Sequence, residues 1–352
     1  MSDKMMPFEH GVLGVLHGHW ELTLKSPLVI RHGSESNAKA AFRQKSKDYS
    51  KGRGIGMGFA WKETEDKLND SNKEWSEVTD FHYNFFVNKD NHLDVAYSIP
   101  PSSIRGALRQ WTIKCLVERK DRELFSIPKK EEDPSVDLEK RMRDARDVMI
   151  ARKQGWYEIL SLFGCTFDID PNDDDPLTWV GRLRLTTNIT SDPLTHTLEA
   201  SGQLLDSLDG PKNMKRHINV RNPIDRVTMA AKDGGLHFGM EMSEGEQFAI
   251  DLHILNPKPT DIRLLVMWAQ DIQDGFLRFG GLTSQGRGRV VMDEAKESYC
   301  IYVSSASELY KKIMELEKPS LITDVLFKDF WINAELTRSE LSLVDFSLLD
   351  TI

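Results

Sequence analysis

The sequence predicts an α+β protein built on an antiparallel sheet. Three observations carry that reading. Apolar and polar residues alternate, as in half-buried strands, at residues 17–30, 178–187, 236–242 and 247–255. Apolar residues recur at helical spacing at 104–117 and 262–279. The strand-like runs of the second half follow one another closely, as in an antiparallel meander. With 352 residues, 39% of them hydrophobic and 29% charged, the chain has the makeup of a globular protein with a core rather than of a disordered one.

Taken in order, residues 17–30 (HGHWELTLKSPLVI) form the first strand, with Trp20, Leu22 and Leu24 on one side. His17 and His19 share the other side, where two histidines without further ligands read as packing or surface residues. From Arg31 the pattern breaks into a basic, glycine-containing stretch, with Arg43, Lys45, Lys47, Lys51 and Arg53, that reads as an inserted loop. Its glycines lack the spacing of a dinucleotide fingerprint. Residues 80–99 lead through Phe81, Tyr83 and Phe85 and a turn near 88–91 into Ile99-Pro-Pro-Ser-Ser-Ile-Arg-Gly-Ala-Leu-Arg109.

That stretch converts an extended run into a helix. Pro100 and Pro101 keep the incoming chain extended. Ser102 or Ser103 is expected to cap the helix, and Arg105 and Arg109 lie four residues apart on one face of its first turns. An anion is welcome at such a helix start, and Gly106 leaves room for it.

Residues 118–154 are charge-rich and read as an insertion, with an exposed helix from 136 to 152. Residues 156–164 read as a helix stopped by Gly164. After the strand at 178–187, residues 188–219 form a long polar excursion that ends in Lys212, Lys215 and Arg216. Arg221 and Arg226 follow, then two further strands and the helix at 262–279. That helix runs into Gly280-Gly-Leu-Thr-Ser-Gln-Gly-Arg-Gly-Arg-Val290, where glycines such as Gly286 and Gly288 let the backbone approach a ligand. Arg278, Arg287 and Arg289 supply charge there. The Lys-Ser/Thr pair of a P-loop is missing. An amphipathic helix at 304–317 and a tail whose aromatics Phe330, Trp331 and Phe346 are expected to dock on the core, with a partner as the alternative, complete the chain.

The net charge of −9 argues against a protein that coats nucleic acid indiscriminately and leaves room for a local basic groove. Cys115, Cys165 and Cys300 are too few and too far apart for a disulfide framework or a cysteine-based zinc site. No apolar run approaches the roughly 20 residues of a membrane span, and residues 1–7 lack the apolar core of a secretory signal. The expectation is a cytoplasmic protein without a membrane partner.

Assembled in this order, the Ser-Ser-Ile-Arg-Gly-Ala-Leu-Arg segment, Leu162-Phe163-Gly164, residues 221–228 and the glycine and arginine loop resemble the RAMP superfamily of CRISPR-associated proteins. Within it, the likeness is to backbone subunits of type III, Csm- or Cmr-like, effector complexes. Those proteins carry a segment like IPGSSIKGALR, and Pro101 stands here in place of its glycine.

The resemblance implies a ferredoxin-like (RRM-like) core over residues 1–300, with insertions at about 38–79 and 118–154 and a protruding thumb hairpin at about 188–219. Residues 301–352 would form a C-terminal helix and tail packing on the core or on a neighbour. It implies a guide (CRISPR) RNA held through its phosphates while its bases pair with a complementary target RNA, in company with other RAMP subunits. The RNA-binding candidates are Arg31, Ser102, Ser103, Arg105, Arg109, Lys212, Lys215, Arg216, Arg221, Arg226, Arg278, Gly286, Arg287, Gly288 and Arg289.

Some members of the family also cut the target with an aspartate and Mg²⁺ or another divalent metal. Asp80 is the first candidate for that catalytic and metal-binding role, with Asp48, Asp66 and Asp70 as alternatives. The resemblance therefore leaves two roles open, a guide-RNA scaffold and a metal-dependent endoribonuclease, with guide-RNA processing behind them. A small-molecule enzyme is poorly supported, because no nucleophile, base and orienting group assemble from the sequence.

Overall fold

A computed structural model describes residues 11–31, 78–87, 93–117, 156–167, 177–190, 214–221, 237–304, 307–315, 320–323 and 330–349. In chain order its strands and helices begin with β1 (Gly14–Leu24), β2 (Val78–Thr79), β3 (Tyr83–Val87), β4 (Leu93–Tyr97), α1 (Pro101–Leu116) and α2 (Trp156–Phe163). There follow β5 (Cys165–Phe167), β6 (Leu177–Trp179), β7 (Leu183–Ile189), β8 (Arg216–Arg221), β9 (His237–Met242), β10 (Gln247–Leu255) and α3 (Pro259–Gln273). The chain closes with β11 (Val290–Met292), β12 (Ser298–Ser304), α4 (Glu308–Met314), β13 (Ser320–Thr323), β14 (Phe330–Leu336) and α5 (Arg338–Leu341).

Along β1 burial alternates at every residue, so Leu16, Trp20, Leu22 and Leu24 face the core and His17, His19 and Glu21 the opposite side. β1 pairs antiparallel with β10 on one edge and β12 on the other, while β7 pairs with β10. The chain thus runs β1, α1, β7, β10, α3, β12, and the strands lie in the order β12, β1, β10, β7. That is the ferredoxin-like arrangement of two interleaved β-α-β units. β14 and β13 extend it beyond β12, and β11 pairs with the end of β1.

The helices cover one face. Trp268 of α3 donates its indole N–H to Thr112 of α1 at 2.9 Å, and its ring lies 5.8 Å from that of Phe163 in α2. All three are buried with Leu16, Leu108, Leu265 and Ile250 in one core. Among the described residues no helix is long and apolar enough to cross a membrane.

Several expectations need correction. α1 begins at Pro101, whose fixed φ suits the first helical position, so Ser102 and Ser103 sit inside the first turn and no side chain caps it. The run at 178–187 is two strands, β6 and β7, separated where Arg182 turns inward. The expected meander is split between sheets: β9 pairs with β8 on one side and β2 on the other, whereas β10 belongs to the central sheet. α3 stops at Gln273, ahead of Gly275 with φ +78°, and α4 is a short helix capped by Ser307. The Gly164 stop of α2, at φ +82°, and the burial of Phe346 match expectation. The insertion at 118–154, residues 38–77 of the other insertion, and residues 191–213 of the expected thumb lie outside the described residues.

Candidate functional site

Three segments that are remote in sequence converge on a cavity of about 760 Å³. Its floor is Val29, Ile30 and Arg31, just beyond β1. One wall is Ser103 and Ala107 of α1, and the other is Gly280, Gly281 and Leu282.

Local chemistry places each part. Pro100 precedes a proline and is held extended, with φ −68° and ψ 132°, and the Ser103 N–H donates to its carbonyl at 2.9 Å. Thr187 of β7 donates its hydroxyl to the Ile99 carbonyl, which anchors the entry of the helix on the central sheet. No acidic residue lies in the first turn of α1 to offset its positive end. Ser102 and Gly106 are exposed, and a Cβ added at Gly106 would meet nothing within 4 Å.

The glycine loop is docked by its backbone on the segment after β1. Gly281 donates to the Val29 carbonyl at 2.8 Å, Gly288 to Pro27 at 2.9 Å, and Lys25 to Arg289 at 2.8 Å. Gly288 has φ +73°, and a Cβ there would lie 1.8 Å from the Phe279 carbonyl oxygen, so no other residue fits without moving the backbone. Gly286, with φ +86°, has open space around it.

Charge is brought to the groove by β9. Glu241 has a side chain only 2% exposed, and it accepts from Arg287 Nε at 2.8 Å and from Asn219 Nδ2 of β8 at 2.7 Å. Arg31 belongs to the same patch: a Cβ on Gly239, two residues before Glu241, would lie 3.8 Å from one of its guanidinium nitrogens. Arg31 is exposed, and the Arg287 side chain is 28% exposed. Arg31 therefore lines the groove, and Arg287, held by a buried carboxylate, lies beside it, its backbone N–H donating to the carbonyl of the lining residue Leu282 at 3.4 Å.

The other candidates are placed differently. Arg105 donates to the Phe163 carbonyl at the end of α2, where it ties two helices together rather than waiting at the helix start. Arg278 donates to the carbonyls of Gly275 at 3.2 Å and Thr283 at 3.3 Å, closing the loop on itself. Arg289 lies against Gly275. Arg109 is half-buried on α1 and Lys215 is exposed, while Arg216 and Arg221 contribute their backbone to β8. Lys212 and Arg226 lie outside the described residues, as do Asp48, Asp66 and Asp70.

Asp80 is 3% exposed and its carboxylate accepts the Phe81 N–H at 2.8 Å. Among the described residues no three His, Cys, Asp or Glu side chains are grouped to hold a metal ion.

Glu241 and Asn219 went unrecognised in the sequence. Alternation along β9 assigns Glu241 to the side away from Met240 and Met242, and a glutamate there reads as solvated. The partner that explains its burial is 46 residues away.

The family profile described as RAMP superfamily matches residues 21–291. No curated protein matches the sequence. Among solved structures, a chain described as "Type IV-B CRISPR Complex" is similar at 12% identity with a TM-score of 0.41, over 79% of this chain and 89% of that one.

Proposed function

The chain belongs to the RAMP superfamily, and from that premise we propose that it is a CRISPR-associated subunit that binds guide RNA through the phosphates. In this reading it stands beside other subunits of the superfamily in an effector complex of the type III kind. The guide's base edges stay free to pair with target RNA.

One observation carries the proposal. The start of α1, the glycine loop and the segment after β1, each a candidate anion contact by its own chemistry, line a single groove that includes Arg31, and Arg287 lies beside it, hydrogen-bonded through its backbone to the lining residue Leu282. Backbone N–H groups at a helix start and planar guanidiniums suit phosphate oxygens. An overall charge of −9 is compatible with this, because the contact is local. Target cutting is not part of the proposal: nothing in the placement of Asp80 favours it.

The test is binding of a fluorescent single-stranded RNA oligonucleotide to the full chain over a range of salt concentrations. Arg31→Ala and Arg287→Ala should each weaken binding about tenfold, or ~1.4 kcal/mol. Each should also flatten the dependence of log K on log salt by about 0.7, the counterion share of one single-strand phosphate contact. Wild-type protein that ignores the RNA, or variants that bind as the wild type does, would overturn it.

A further inference from the structure

We propose that Glu241 is the positioning residue of the groove: it fixes the direction in which Arg287 presents its guanidinium to an RNA phosphate. The inference rests on the RNA-binding reading above and adds to it a residue that touches no RNA.

Glu241 spends one carboxylate oxygen on Arg287 Nε and the other on Asn219 Nδ2, and it is itself buried. A guanidinium is a rigid fork of five donors. With Nε anchored, the plane of the fork is set, and among the described residues its Nη1 and Nη2 groups make no hydrogen bond. Those two nitrogens are the edge that matches two phosphate oxygens. Without the anchor, Arg287 keeps its charge but must be ordered when RNA arrives, and that ordering is taken from affinity.

The Asn219 bond ties the same carboxylate to β8, the first described strand after residues 191–213. Glu241 therefore also joins β8 to the glycine loop.

A purely structural role predicts something else. A buried acid paired with an arginine contributes to stability whether or not RNA is present, and its removal would be independent of Arg287's contact with RNA. The two accounts separate in a double-mutant cycle on the full chain, with the same RNA oligonucleotide and salt series and with thermal unfolding recorded alongside.

If Glu241 aims Arg287, Glu241→Ala loses about as much affinity as Arg287→Ala, roughly tenfold. Arg287→Ala flattens the salt dependence by about 0.7 while Glu241→Ala, in which Arg287 keeps its charge, does not, and the double variant binds within about twofold of either single one. Glu241→Gln, which keeps a carbonyl oxygen for Nε, binds within about threefold of wild type with the wild-type salt dependence. Losses that multiply to about a hundredfold in the double variant, or Glu241→Ala binding like wild type, would overturn the inference while leaving RNA binding intact. Wild-type protein without RNA affinity would instead fail the functional reading, and the inference with it.

Should Glu241→Ala not fold, Arg287→Lys asks the same question from the other side, since it keeps the charge and lacks the Nε–H. A loss of about tenfold supports aiming, and wild-type affinity overturns it.

Discussion

The protein holds two arginine–carboxylate pairs that look alike as chemistry and differ in what surrounds them. Arg182 and Asp261 both have fully buried side chains. Arg182 Nη1 reaches Asp261 Oδ2 at 2.5 Å and the Asn256 carbonyl at 2.9 Å, while Nη2 reaches Asp261 Oδ1 at 3.0 Å and Ser161 at 3.4 Å. Asp261 in turn accepts the Lys258 N–H at the start of α3, and Asn256 binds the backbone of Leu13 and Gly14. This is a knot that ties β7, β10, α2, α3 and the entry to β1 together. Arg287 and Glu241 are joined through Nε alone, and the Arg287 side chain is partly exposed. The first pair spends both Nη groups on the protein and leaves the buried Arg182 Nε without a partner among the described residues; the second spends Nε and keeps both Nη groups for something else.

The largest effect that can break this comparison lies in the first pair. Asp261→Ala leaves a guanidinium buried without its counter-charge and should destabilise the fold by about 3–5 kcal/mol. Chemical denaturation should then show a greatly lowered midpoint or no native baseline at all. Arg287→Ala also leaves a buried carboxylate without its counter-charge, but Glu241 keeps its bond from Asn219 and Arg287 is partly exposed, so the stability loss should be smaller, about 1–3 kcal/mol, and RNA affinity should fall as well. Equal stability losses in the two variants would erase the distinction.

A second contrast lies within the glycine loop. Gly288→Ala must displace the Phe279 backbone and should cost about 2–4 kcal/mol, with loss of the groove's wall. Gly286→Ala meets no neighbour and carries only the left-handed backbone penalty of about 1 kcal/mol. Denaturation midpoints of the two variants, with RNA affinity measured on the folded protein, sharpen which part of the loop is structural.

How much of this could be read beforehand follows the range of the interactions. β1 and β10 were legible because one face of each is buried and the side-chain period is two. The start of α1 and the stop of α2 were legible because proline and glycine act locally. The two sides of the groove were each recognised as anion-seeking for the same reason.

Arg182 was not legible: within WVGRLRLTT it alternates as a solvent-facing residue would, and its burial is explained only by Asp261, 79 residues later. The role of Arg105 depends on the carbonyl of Phe163, 58 residues away. Glu241 failed for the same reason. Patterns report which face a residue occupies, while the partner that makes a buried charge tolerable is chosen by topology.

The smallest effect concerns pH and sets the groove's guanidiniums against the imidazoles of the open sheet face. There His253 of β10 stacks on His17 of β1 with rings 4.5 Å apart, and Arg184 of β7 stands opposite it in the register. Asp251 receives His19 at 2.7 Å and His17 at 3.4 Å. Burial, with the charges of His17 and Arg184 against it, pushes the His253 imidazole below its ordinary value, and nearby Asp251 only partly offsets this. Burial pulls the Asp251 carboxyl upward, but the hydrogen bonds and charges of His19 and His17 outweigh it and hold the group below the usual carboxylate value.

Both folded values lie below their unfolded ones, so both contributions are present at neutral pH and are lost on acidification. His253 contributes fully above about pH 6.5 and gives its share up as pH falls through its lowered value. Asp251 does the same below about pH 4. Because the His253 ring is partly solvated, the effect between pH 7.5 and 5.5 should stay under about 1 kcal/mol, or a fall of roughly 2 °C in the thermal midpoint. His253→Gln should flatten that fall. The salt dependence of RNA binding should stay constant over the same range, because the groove's contacts are guanidiniums rather than imidazoles. A pH-dependent salt slope would mean that the imidazole face, rather than the groove alone, meets the RNA.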